Sequence, residues 1–325
     1  KRSNKFVAYF KSGLSRLTLR LIQSDFAIAQ RFLIIQNPNS GPGRPDRVRR
    51  QLEQAIEKHS VDAEIWVWER PGDIEELMQM ALSAKFDAIL SCGGDGTFHH
   101  VAKPLIGPDI PVGIIPAGSG NAVCGHLNLP LSIDQSIAML NDYRIEQIDT
   151  GTINGEPFVA FFGIGVDAEV IHVFGNTKRR SFGGYFWTAL SKYSDYRPEQ
   201  LQLDTGEKQV SCQPHVLGVI NGSEYGNGAI LAPNASMQDG KLDCFWVIGP
   251  PIWTAPEVIW RVFTGKLDRA KYYRRLKFEE LTLVRSRSGH AQLDGEPFET
   301  GEKLHIKVVP QSLNIILPAY HPEKV

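Results

Sequence analysis

Between Arg31 and about Gln147 the hydrophobic pattern alternates between two periods. The run "FLIIQN" (32–37) is continuously apolar and of strand length. In "PDRVRRQLEQAIEKHS" (45–60) a proline suited to a first helical turn precedes Val48, Leu52, Ala55 and Ile56, which share one helical face. "AEIWVWE" then reads as a strand, "DIEELMQMALSAK" as a helix, and "FDAILS" as a strand. "FHHVAKPLI" is a short helix disturbed by Pro104, "VGIIP" is a strand, and "GNAVCGHLN" starts a helix. Four β–α units in succession predict a parallel, doubly wound sheet.

From about Ile148 strand-like runs dominate, among them "PFVAFFGIGV", "HVLGVING", "KLDCFWVIG", "FEELTLVRS", "KLHIKVV" and "LNIILP". The helical interruptions are chiefly "GGYFWTALSKYSDY" and "APEVIWRVFTGK". Glycine and proline punctuate the runs, as in antiparallel β-structure. A chain of 325 residues exceeds the usual reach of one core, so two domains are expected.

Open α/β sheets bind ligands beyond the carboxyl ends of their strands. Three small-residue loops fall there. "NPNSG" (Asn37, Pro38, Asn39, Ser40, Gly41) follows the first strand. "GGDGT" (Gly93, Gly94, Asp95, Gly96, Thr97) follows the third, and "PAGSGN", with Gly118, Ser119 and Asn121, the fourth. Each offers backbone N–H groups, and two open helices whose N-termini favour anions. Loops with so little side chain suit a polyphosphate that must touch backbone. Asp95 places a carboxylate among those amides, which is unfavourable for phosphate unless a metal intervenes or the acid does chemistry.

Charge narrows the partners. Lys plus Arg number 35 against 36 acids, so no global field favours nucleic acid. Cys92, Cys124, Cys212 and Cys244 form no CxxC pair, so neither a disulfide framework nor a zinc site is expected, and a cytoplasmic location fits. No apolar run reaches the ~18 residues that span a bilayer. Residues 1–30 form a basic extension with Phe6, Tyr9, Phe10, Leu14, Leu17 and Leu21 at roughly helical spacing. It reads either as an amphipathic anchor, peripheral at a membrane, or as a loosely packed extension.

Taken in order, "NPNSG", "GGDGT", "IIPAGSGN", "GIGVDAE", "APNASMQDGKLD" and "LDGEPF" resemble the diacylglycerol-kinase catalytic superfamily, which includes bacterial diacylglycerol kinases and sphingosine kinases. The resemblance runs from about Phe32 to Pro318. It implies an α/β nucleotide domain (31–147), a β-sandwich domain (148–310), a last segment (311–325) returning to the first domain, and ATP in the cleft between. It implies transfer of the γ-phosphoryl of ATP to the hydroxyl of a lipid such as diacylglycerol or a sphingoid base. The residues of the three loops would then line the nucleotide, with Asp95 organising a Mg²⁺–ATP complex. Asp239, with the backbone of Ser236 and Lys241, would hold a Mg²⁺, Glu296, with Asp95 as the alternative, would be the general base, and Asp167 would meet the lipid head group. From the residues alone other readings stay open: Asp239 begins an Asp-Gly turn, Glu296 follows one, and Asp167 suits a helix N-cap.

Two positions depart from the family pattern. His100 stands where a glutamate is common, and Trp68 near where a threonine usually touches the nucleotide. They keep two rivals in view, an NAD-kinase-like enzyme for a small molecule and a catalytically weak lipid-binding regulator. Lys178, Arg179 and Arg180 fit either contact with anionic lipid or a solvated basic turn.

Overall fold

The computed structural model describes residues 30–40, 45–68, 73–118, 120–175, 191–193, 195–249 and 251–319. Residues 1–29, Gly41, Ser119 and Lys178 to Arg180 lie outside this set, and the expectations placed on them with it.

The first half alternates as its pattern demands: β1 (Arg31–Gln36), α1 (Pro45–His59), β2 (Asp62–Val67), α2 (Asp73–Ser83), β3 (Ala88–Gly93), α3 (Asp95–Ala102) and β4 (Val112–Pro116). Two short helices follow, α4 (Ala122–His126) and α5 (Ile133–Met139). The strands lie side by side in the order β2-β1-β3-β4, all parallel. β1, β3 and β4 are buried nearly throughout, which explains their unbroken apolar runs.

Two local readings change. The helix expected at "FHHVAKPLI" begins three residues earlier, inside the glycine loop: Gly94 is its N-cap and Asp95 its first residue. It stops before Pro104, which sits in a short 3₁₀ turn over Lys103–Leu105, because proline cannot donate the next helical hydrogen bond. Helix α5, absent from the hydrophobic reading, starts where Ser132 Oγ accepts from Gln135 N.

The second half is β-rich. β5 (Tyr143–Ile153), β6 (Glu156–Phe158) and β7 (Phe161–Gly165) lead into α6 (Val166–Gly175). Then come β8 (Leu201–Asp204), β9 (Gln209–Cys212), β10 (Val216–Ile220), β11 (Glu224–Gly226), β12 (Ala229–Ile230) and β13 (Leu242–Val247). Helix α7 (Ala255–Phe263) precedes β14 (Tyr273–Phe278), β15 (Glu280–Arg285), β16 (Gly289–Leu293), β17 (Glu296–Thr300) and β18 (Lys303–Pro318). One sheet runs β14-β13-β10-β7-β16-β17, antiparallel throughout. The other sheet is shared. The parallel strands continue through β18 into β15, β8 and β9, and β5 pairs along β18.

β5 and β18 therefore tie the halves together. Leu313, Ile315, Ile316 and Leu317 of β18 are buried in the core of the α/β half, while Leu304 and Ile306 belong to the core between the two sheets. The chain changes cores within one strand at an irregularity between Val309 and Leu313, where Gln311 has φ 50°.

Candidate active site

The three loops meet because β1, β3 and β4 are adjacent and parallel. Asn37 N donates to Cys92 O at 3.0 Å, and Ala117 N and Gly118 N donate to Gly93 O at 2.9 and 3.1 Å. Asn37 Nδ2 donates to Thr97 Oγ1 at 2.9 Å, while its Oδ1 accepts from Asn39 N, tightening the turn that carries Pro38 and Ser40. Gly118 and Gly94 touch backbone to backbone, so a side chain on Gly118 would collide with Gly94. Asn121, at φ 52°, turns the third loop into α4 and donates to Gly118 O.

Asp95 opens α3 and reaches the third loop. Its Oδ1 accepts from Ala122 N at 2.6 Å, and its Oδ2 lies against Gly120, where an added Cβ would stand 2.5 Å away. Burial pushes this carboxyl up to about 6, against the pull of the Ala122 and Asn121 amides, and the charge of Asp294 adds to the rise.

Glu296 arrives from the other half. It begins β17, and an added Cβ on Gly96 would stand 2.7 Å from Glu296 Oε1. The first turn of α3 thus has Asp95 on one side and Glu296 on the other. The approach is possible because Gly96 has no side chain.

The next residue pair fixes this contact. His99 Nδ1 lies 2.7 Å from Asp294 Oδ2 across a buried boundary. The Asp294 carboxylate also accepts from Val159 N, Ala160 N and Phe161 N at 2.7–2.8 Å. Burial alone would raise the Asp294 pKa, but His99 and the amides hold it below the ordinary carboxylate value. Burial alone would lower that of His99, and the bond and charge of Asp294 raise it instead. Asp294, at φ 48°, is therefore an anchor as well as a turn residue, and Gly295 at φ 86° swings Glu296 toward α3.

Asp167 is the second residue of α6 and is buried. Its Oδ1 accepts from Tyr225 OH at 3.0 Å and its Oδ2 from Gln292 Nε2 at 2.7 Å. Gln292 Oε1 in turn accepts from Gly295 N at 2.9 Å, so Asp167 is linked to the turn that presents Glu296. His99, Asp294, Gln292 and Tyr225 were not singled out by sequence as site residues. Their signal is tertiary, apart from the Asp-Gly turn.

The hairpin β11–β12 closes over the third loop. Asn227 N donates to Gly120 O at 3.0 Å, and Ser223 N donates to His126 Nδ1 at 2.9 Å. Trp68 is packed in the core of the α/β half, and His100 is exposed on α3 beside His99.

Ser236, Asp239 and Lys241 are the residues expected to hold Mg²⁺. Ser236 Oγ accepts from Gln238 N at 3.1 Å, and Asp239 Oδ1 accepts from Lys241 N at 3.2 Å. The other oxygen of Asp239 takes Lys277 Nζ. Asp149 shapes the loop, its carboxylate accepting from Gly240 N and Gln311 N. Asp243 is buried against Arg275 at 2.7 Å. The loop's carboxylates are thus matched by cations of the chain itself. As it stands Lys277 occupies the one carboxylate expected to meet a magnesium ion, in an ion pair about a third exposed that such an ion would have to displace.

Residues 31–153 match the diacylglycerol kinase catalytic domain, and residues 160–317 match the YegS C-terminal NAD kinase beta sandwich-like domain. The two matches fall on the α/β half and on the antiparallel half just described. The chain belongs to the diacylglycerol-kinase catalytic superfamily and is a lipid kinase, an enzyme that phosphorylates an alcohol group. Among its relatives is a protein of Pseudomonas aeruginosa (strain UCBPP-PA14) named "Probable lipid kinase YegS-like", 29% identical over 78% of this chain and 84% of the relative. One of the same name from Yersinia pestis (strain Pestoides F) is 25% identical over 78% and 86%. A crystal structure of a diacylglycerol kinase from Bacillus anthracis str. Sterne superposes with a TM-score of 0.67 at 20% identity, covering 91% of this chain and 98% of that one, which shows a shared fold.

Proposed function

We propose that the chain transfers the γ-phosphoryl group of ATP, taken up as its magnesium complex, to the hydroxyl of a membrane lipid of the diacylglycerol or sphingoid-base class. The observation that carries this reading is Glu296 against Gly96, which puts a carboxylate of one half on the helix N-terminus of the other. Phosphoryl transfer needs little covalent chemistry from the protein and depends on positioning and charge stabilisation. The amides of the converging loops and the positive end of α3 bind the phosphates. Asp95, placed at that end, orients the nucleotide's metal. Glu296 accepts the proton of the attacking hydroxyl, and Asp167, through Tyr225 and Gln292, shapes the acceptor side.

A lipid acceptor must be met at a bilayer surface. Among the described residues, no helix is long and apolar enough to cross a membrane. Helix α7 has no buried residue among those described, and it packs on β12. Trp260 on this helix is 53% exposed and Trp253, just before it, 79%. Lys266 Nζ lies 4.9 Å from the Trp260 ring centre. Exposed tryptophans beside a cation suit the interface of an anionic bilayer.

Incubation with γ-labelled ATP and a total lipid extract, resolved by thin-layer chromatography, tests the reading. A labelled lipid that appears only with wild type supports it. Label on NAD, or nucleotide binding with no labelled lipid, overturns it in favour of a small-molecule kinase or of a regulator.

A further inference from the structure

We propose that His172, His290 and Glu299 form a binding site for a divalent transition-metal ion of the zinc class, outside the phosphate-binding cleft. Nothing in the cysteine pattern announces it, and the four cysteines are free and buried. The site is built by tertiary contact between α6 and the hairpin β16–β17.

Glu169 and His172 lie one helical turn apart on α6, which packs on both β16 and β17. In the hairpin His290 is paired directly with Glu299, so their side chains share one face. The imidazoles of His172 and His290 stack with centroids 3.9 Å apart and planes 12° from parallel. Glu299 Oε1 lies 3.4 Å from His290 Nε2 and 3.9 Å from His172 Nε2. All the ligating atoms fall within 4.8 Å of one another. An ion bonded at ~2.1 Å to each donor spans at most ~4.2 Å between them, so the atoms lie near bonding range, and the stacked rings must turn out of their stack for their in-plane lone pairs to meet one ion.

The chemistry of the neighbours agrees. Glu169 Oε1 lies 3.1 Å from His290 Nδ1. A carboxylate there holds the proton on Nδ1 and leaves the Nε2 lone pair facing Glu299, the usual outer support of a metal-binding histidine. The two stacked rings lie between the carboxylates of Glu169 and Glu299, which together make a pocket for a cation. The approach of His172 Nε2 to Phe298 O, 3.4 Å, is long for a hydrogen bond and is given up at little cost. Two imidazoles and a carboxylate favour Zn²⁺, Co²⁺ or Ni²⁺ over Mg²⁺ and leave a fourth position for water.

The location gives the ion a consequence. Helix α6 carries Asp167, β16 carries Gln292, and β17 starts with Glu296. An ion that clamps α6 to the hairpin stiffens the elements that present the acceptor side of the cleft. The site itself rests on geometry alone and does not depend on which lipid is phosphorylated.

The full chain, stripped with a chelator, would be titrated with Zn²⁺ by calorimetry near neutral pH, alongside thermal melts with Zn²⁺, Co²⁺ and Mg²⁺. One saturable zinc ion per chain is expected, with a higher melting temperature in Zn²⁺ and Co²⁺. The His172→Ala/His290→Ala double variant should lose that binding, and Glu169→Gln should weaken it ~10–100-fold. Glu299 is 64% exposed, so Glu299→Gln keeps the fold and supplies the test should the double variant misfold. Absence of saturable zinc binding by wild type overturns the proposal. So does unchanged zinc affinity in the folded double variant or, should that misfold, in Glu299→Gln.

Discussion

His99 and Asp294, 195 positions apart, share a buried hydrogen bond of 2.7 Å that joins helix α3 to the turn presenting Glu296. The pair has opposite pH limits. The lowered Asp294 pKa gives stability that is present above the ordinary carboxylate range and lost as pH falls below it. The raised His99 pKa gives stability that is full below the ordinary histidine range and lost as pH climbs through the raised value.

Removing either partner should therefore act on both fold and chemistry. Asp294→Asn and His99→Ala are each expected to cost about 3 kcal/mol, since each leaves a buried polar group without its partner. Denaturant unfolding at neutral pH measures this. A cost under ~0.5 kcal/mol for both would show that the pair does not hold the halves together.

Asp95→Asn should separate function from stability. Its pKa of about 6 lies above the ordinary 3.8, so the folded chain holds this proton more tightly than the unfolded one. The stability that Asp95 contributes thus falls as pH rises between those values. Above that window the asparagine variant should be more stable than wild type by about 1–3 kcal/mol, while turnover is nearly abolished. Melting curves at pH 5 and pH 8, with turnover at pH 8, check both parts. Wild-type turnover in the variant would remove Asp95 from the site.

Glu296→Gln should lower the maximal rate by ~10²–10⁴ and leave ATP affinity nearly unchanged, as for loss of a proton acceptor. Gly96→Ala should also slow the reaction, because its methyl would push Glu296 Oε1 from its present position. A mild Glu296→Gln beside a severe Asp95→Asn would assign the proton to Asp95.

The Asp239 loop should melt at the same temperature with and without Mg²⁺, since Lys277 already sits on its carboxylate. Lys277→Met should create a magnesium-dependent rise in melting temperature, as a cation that binds only the folded state stabilises it. A rise already present in wild type, and lost in Asp239→Ala, would restore this loop as a metal site.

Trp253→Ser/Trp260→Ser should weaken binding to anionic vesicles while sparing activity on detergent-dispersed lipid. Sedimentation with phosphatidylglycerol vesicles at low salt measures it. Equal sedimentation of both forms would place the bilayer contact elsewhere.

The parallel half was legible in the chain because its strands are buried on both faces and its helices on one, so period and punctuation carry the fold. The three loops were legible for a related reason: backbone that other groups approach this closely excludes side chains, as at Gly94, Gly96, Gly118 and Gly120, and the glycines record it. Glu296 could be named only through the family resemblance, and Asp294 beside it read as a turn residue. What pairs with what between separate elements was not legible. The bond from His99 to Asp294, the links from Asp167 to Tyr225 and Gln292, and the ammonium of Lys277 on Asp239 join residues on separate elements. No local period encodes such a pair. The same holds for the hybrid sheet, in which β18 leaves one core and enters another. The sequence by itself determined the elements, the glycine loops and the chemistry they favour. The tertiary structure alone decided which carboxylate is anchored, which lies against Gly96 and which is paired with a lysine, because burial and partner distance exist only after the two halves close.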